Sequence, residues 1–217
     1  VLSLLAGSAA IASPFSELAA AADWKILTNK SVDPVGEINI FEKSAEDPPC
    51  LRAEGKTDLP VSLLLELVSD IEGEPTWSTA GLTEAKILKK GEGYLDYYQY
   101  LDTPGWTFAA DRFWFLRGTF IEENGQYMFY WDRMGDRGGP YQAEFDAVAT
   151  AHPKAIEPPT NLGGWVFVAE GNQVKMTYII CSDSGGSIPR SVQLIASRST
   201  VPDVLVDVVR EGKRRLE

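Results

Sequence analysis

A chain of 217 residues is long enough for one large domain with a real hydrophobic core. Its hydrophobic fraction of 44% is ordinary for a globular protein, and its net charge of -11 argues against nucleic acid and against tight binding to anionic lipid surfaces. One histidine and two cysteines leave too few ligands for a zinc site, and no spacing among the carboxylates resembles a calcium loop, so no metal and no cofactor is implied.

Val1 to Ala12 reads as the tail of an apolar signal core, and Ala10-Ile11-Ala12 fits a small-residue cleavage site. That reading implies export to a periplasmic or extracellular compartment; an ordinary apolar N-terminal helix is the alternative. Residues 1–22 are therefore assigned to a residual signal segment and a short helix from Ser13 to Ala22, and residues 23–217 to one domain. Trp24 to Leu27, Val35 to Phe41 and Cys50 to Ala53 predict three short strands, with Asp33-Pro34 and Asp47-Pro48-Pro49 as the turns between them. Asp58 is placed to cap the next helix, whose stripe is Leu63, Leu64, Leu67 and Val68. Gly73 to Pro75 ends it, and Trp77 follows in a connecting turn.

From Leu82 the pattern becomes a meander. Ala85–Leu88 pairs with Tyr94–Leu101, Phe113–Phe120 with Gln126–Trp131, and Gly164–Val168 with Val174–Ile180, each pair joined by a glycine-bearing turn. A loop-rich, proline-rich stretch from Arg133 to Asn161 interrupts them, with a short strand expected at Ala143–Ala149. After Ile180 come a turn at Asp183-Ser184-Gly185-Gly186 and one long helix. Ser187 is placed to cap that helix, Pro189 sits in its first turn, and Lys213, Arg214 and Arg215 complement the dipole at its far end. Ile188, Val192, Ile195, Ser199, Val206 and Val209 share one helical face, with Leu194, Val201, Leu205 and Val208 beside it. So wide an apolar arc wants more contact than a flat sheet gives, and Pro202 predicts a kink or a restart. The fold class is α+β: a curved antiparallel sheet of about nine strands wrapped around the C-terminal helix, with two short helices after the third strand.

Catalytic signatures are missing. His152 precedes Pro153 in a loop, no Gly-x-Ser-x-Gly elbow exists, and no glycine pair carries the lysine of a phosphate loop.

The order of elements resembles the START-type (StAR-related) lipid-transfer domains of the helix-grip, or Bet v 1-like, superfamily, over about Trp24 to Glu217. Asp183 to Pro189 resembles that family's turn into its final helix. Trp77 matches the tryptophan after the second helix, and Thr83-Glu84-Ala85-Lys86 the strand that follows. Ala110-Asp111-Arg112-Phe113-Trp114-Phe115-Leu116-Arg117 resembles the strand that ends in a cavity-facing arginine, although here Asp111 precedes Arg112.

The resemblance implies a non-enzymatic carrier of one lipid or other hydrophobic small molecule, acting as a monomer with transient membrane contact and without nucleic acid. A polyketide cyclase or hydrolase on the same superfold is the alternative. It places Arg117 inside and so carries Phe113, Phe115, Asp96, Tyr98 and Tyr100 inward, with Asp96 as the partner a buried guanidinium needs. With Ile188, Val192, Ile195 and Ser199 of the helix, these form the candidate ligand-binding set. Strand alternation alone leaves the opposite face open, with Arg117 outside and Trp114 and Leu116 in the core. The helix-grip order also makes the strands of Cys50 and Cys181 neighbours. The thiols would then form a disulfide worth about 4 kcal/mol in an exported protein, or remain two unrelated buried thiols.

Overall fold

The computed structural model describes residues 13–43, 46–103, 109–183, 185–186 and 190–217, apart from the side chains of residues 190–197 and 199. The signal-segment expectation, and those for Ser187, Ile188 and Pro189, lie outside the described residues. Nine antiparallel strands form one open, curved sheet in the order β1-β2-β3-β9-β8-β7-β6-β5-β4. The strands are β1 (Lys25–Val32), β2 (Gly36–Lys43), β3 (Cys50–Thr57), β4 (Leu82–Gly91), β5 (Tyr94–Leu101), β6 (Arg112–Glu123), β7 (Gln126–Arg133), β8 (Thr160–Glu170) and β9 (Gln173–Asp183). Two meanders, β1–β3 and β4–β9, are thus joined at a single seam where β3 pairs with β9. At the end of that seam the register partners Cys50 and Cys181 form a disulfide, with Cα atoms 4.2 Å apart.

Local chemistry explains most of the elements. Asn124 and Gly125 both take positive φ between β6 and β7, the geometry that lets a two-residue hairpin follow the twist of its strands. Helix α1 (Pro14–Ala20) starts at Ser13, whose Oγ accepts from the Ser16 amide at 3.1 Å. Its Phe15 is fully buried and stacks on Tyr130 at 5.3 Å, so α1 covers part of the sheet's outer face. Helices α2 (Val61–Val68) and α3 (Glu74–Trp77) cross the inner face.

Three local expectations are corrected. Asp58 does not cap α2; Pro60 holds the cap position without a side-chain bond, its fixed φ setting the chain's entry. Trp77 ends a short helix rather than lying in a plain turn. The strand expected at Ala143–Ala149 is helix α4 (Gln142–Ala151), in which Phe145 and Val148 turn inward at helical spacing while Glu144 and Asp146 stay exposed. The alternation of Ala143, Phe145 and Ala147 with Glu144 and Asp146 imitates a strand, and Val148 breaks it.

Helix α5 (Arg190–Leu216) runs through Pro202 without a restart. Val201, Leu205, Val206, Val208 and Val209 are all buried, so both arcs of the expected apolar surface find cover in that half of the helix. They pack with Leu64 and Leu67 of α2 and with inner-face residues such as Ile38, Leu51, Trp165 and Met176 into the principal core.

Candidate functional site

Between the inner face of the sheet and the helices lies a cavity of about 200 Å³. Ile71, Glu74 and Trp77 from the α2–α3 region close one side, and Val204 and Val208 of α5 another. Tyr97 and Gln99 of β5, Trp114 of β6, Trp131 of β7, Asn161 and Trp165 of β8 and Tyr178 of β9 form the wall. Four of the six tryptophans therefore surround one space, each pairing an apolar ring with one N–H donor.

The wall is locally determined. The Trp131 Nε1–H donates to Asn161 Oδ1 at 2.9 Å. Gly163 makes room for the same indole, since a Cβ there would sit 2.6 Å from Trp131 Cζ2. Trp165 is flanked by Phe167 at 5.8 Å and Tyr178 at 4.9 Å, which fixes its ring plane. By contrast, the indole nitrogens of Trp77 and Trp114 are buried without an acceptor.

Among the described residues, Glu74 is the one ionisable carboxylate on the wall. Burial pushes its carboxyl up to about 7, the hydrogen bond from Gln99 Nε2 at 2.7 Å only partly opposes this, and nearby Asp70 and Asp207 push in the same direction. Those two neighbours are themselves held: Asp207 accepts from both the amide and the hydroxyl of Thr79 at 2.6 Å, and Asp70 pairs with Arg215. Burial also raises the Tyr97 and Tyr178 phenols, with further repulsion from Glu74.

The face expected to meet a ligand is turned the other way. Asp96, Tyr98, Tyr100, Phe113, Phe115 and Arg117 lie on the outer surface of β5 and β6. There the four aromatic residues pack with Tyr141, Phe145 and Val148 beneath α4. The cavity instead takes the alternate residues, Tyr97, Gln99, Leu101 and Trp114. Both faces of these strands are apolar because both are covered, one by the cavity walls and the other by α4, so alternation could not choose between them. The arginine sharing Trp114's face is Arg112, buried against the carbonyls of Ala110 and Gly185. Val192, Ile195 and Ser199 belong to α5, but their side chains, like Ile188 as a whole, lie outside the described residues.

The expected pairing of Asp96 with Arg117 is present, on the outer face. Arg117 donates from Nε at 2.6 Å and from a terminal nitrogen at 2.9 Å, and Tyr141 donates its hydroxyl to the same carboxylate at 2.8 Å. Burial alone would raise Asp96, but these bonds outweigh it and hold the carboxyl below the usual range. The group clamps α4 to the sheet. Arg117→Leu should strand the buried carboxylate and lower stability by about 2 kcal/mol in urea denaturation, while ligand affinity of the cavity stays unchanged. Altered affinity at unchanged stability would return Arg117 to the site.

Sequence reasoning passed over Glu74 and Asn161. The signal for Glu74 was its position three residues before Trp77, which puts both side chains on one face of a helical turn.

No family model matches the chain, and no curated protein sequence does. Solved structures share its fold. Human STARD10 superposes with a TM-score of 0.72 at 13% identity, covering 92% of this chain and 77% of its own. A STAR-related lipid transfer protein from Xanthomonas axonopodis gives 0.69 at 14%, covering 88% and 98%. The Zhui aromatase/cyclase from Streptomyces sp. R1128 gives 0.54 at 12%, covering 77% and 95%. The chain therefore has the START-type helix-grip fold, as its sequence resemblance implied.

Proposed function

We propose that this protein is a carrier or sensor that encloses one lipid-like molecule between its inner sheet face and α5. The observation that carries the reading is the aromatic-walled cavity at the centre of a START-type fold. Apolar walls with a few convergent polar groups are the usual makeup of a small-molecule site. At about 200 Å³ the space is below the roughly 300–1,000 Å³ of such sites, so a long-chain ligand enters only if a wall moves. Gly185 and Gly186, both at positive φ just before α5, are the natural hinge. The disulfide supports an oxidising compartment, hence an exported protein; in the carrier role it would act as a monomer with transient membrane contact. Native mass spectrometry of gently purified protein tests the reading by looking for one bound molecule per chain.

A cyclase- or hydrolase-like enzyme is the second reading, favoured by one observation. Glu74, held up at about 7, has the protonation behaviour of a general acid–base in a cavity suited to an apolar substrate. Under that reading Glu74→Gln would abolish turnover of a bound polyketide while binding persisted.

A further inference from the structure

We infer that the cavity receives the end of its ligand that carries an uncharged hydroxyl or amide group, and that it discriminates against phosphate-bearing lipids. The inference rests on the lipid-binding reading and adds the chemistry of the headgroup.

Three observations carry it. First, among the described residues no lysine, arginine or histidine borders the cavity, while Glu74 does, with Asp70 and Asp207 close behind it. A phosphate there would lose its water and gain no countercharge.

Second, among the described residues two donors at the cavity lack acceptors. The indole nitrogens of Trp77 and Trp114 are buried and unpartnered, and Trp114 as a whole is only 8% exposed. An ammonium group carries donors alone and would leave both indoles unpaired; a hydroxyl or amide oxygen accepts from them.

Third, the remaining polar groups are mixed in character. Gln99 spends its amide N–H on Glu74 and Asn161 its carbonyl on Trp131. Among the described residues, Gln99 Oε1 and Asn161 Nδ2 have no further partner. One acceptor and one donor thus face a ligand group that offers both. The raised Glu74 carboxyl fits the same picture, because its neutral form can donate as well as accept.

Four probes with the same oleoyl or oleyl chain test this: monooleoylglycerol, oleoylethanolamide, oleylamine and oleoyl-lysophosphatidic acid. Each is titrated into the full chain, with the fluorescence of the cavity tryptophans as readout. The two neutral probes should bind at least about tenfold more tightly than the lysophosphatidic acid. Trp114→Phe, which keeps a ring and removes the N–H, should weaken the neutral probes about tenfold and leave oleylamine unchanged. Glu74→Gln should retain the neutral probes.

If the lysophosphatidic acid binds as well as the neutral pair, or Trp114→Phe weakens oleylamine as much as it weakens them, the headgroup inference is overturned and lipid binding stands. If none of the four binds, the headgroup inference and the carrier reading fall together.

Discussion

Replacing Cys50 and Cys181 together by alanine should lower stability by about 4 kcal/mol. The bond closes a loop of 131 residues that includes α2, α3, α4 and the five strands β4–β8. Cross-linking so long a loop restricts the unfolded chain more than a short one would. Its position sharpens the expectation. The β3–β9 pair is the single seam between the two meanders, so freeing the end beside Cys181 loosens the junction on which the nine-stranded sheet depends. Urea denaturation with and without reductant checks this. A midpoint that does not move would mean the thiols are unpaired in solution.

Glu74→Gln should change how stability depends on pH, by up to about 3 kcal/mol. The carboxyl rises from 4.5 in its ordinary state to about 7 in the fold, so between those values the folded chain holds a proton that the unfolded chain has released. Its contribution is fully present below about 4.5 and is lost as pH rises through about 7. Glutamine cannot ionise and keeps its stability across that window. The variant should therefore gain on the native protein from pH 4.5 to 7 and then run parallel to it above. Melting curves over this range measure the difference directly. Parallel profiles throughout would show that Glu74 is solvated and that the cavity is open to water at rest.

Both effects concern groups whose importance is not visible in the sequence pattern alone. The order of elements was legible because hairpins such as Glu122-Glu123-Asn124-Gly125 carry turn chemistry that only one backbone geometry suits. The wide apolar arc of α5 was legible because a helix that must fill a curved sheet needs more than one stripe. Helix α4 was not, since the alternation from Ala143 to Ala147 suits a strand, and only Val148, which joins Phe145 at helical spacing, breaks it.

The facing of β5 and β6 is a separate ambiguity. The family resemblance turns Arg117 inward and carries the aromatic residues of its row with it, whereas α4 covers that row from outside. Periodicity places Tyr97 and Tyr98 on opposite faces but does not say which face looks inward. Only the position of Phe145 and Tyr141 above Tyr98 and Phe115 decides it. Arg117, carried inward by resemblance, marks the same ambiguity: with Asp96 it forms a pair that is stable on a covered outer face as well as in a cavity. Glu74 and Asn161 were beyond pattern reasoning for a different reason. They come from elements far apart in the chain, and their shared cavity exists only once the meanders close.

The central claim is that one lipid-like molecule occupies the space between the sheet and α5, and native mass spectrometry of protein purified without denaturing detergent tests it most directly. Paired samples of the native chain and of Val208→Phe, which fills the cavity from the α5 side, should differ. The native chain is expected to carry a single adduct of lipid mass at one per chain, and the filled variant to lack it. A native spectrum showing only bare protein, or adducts identical in both samples, would contradict the claim.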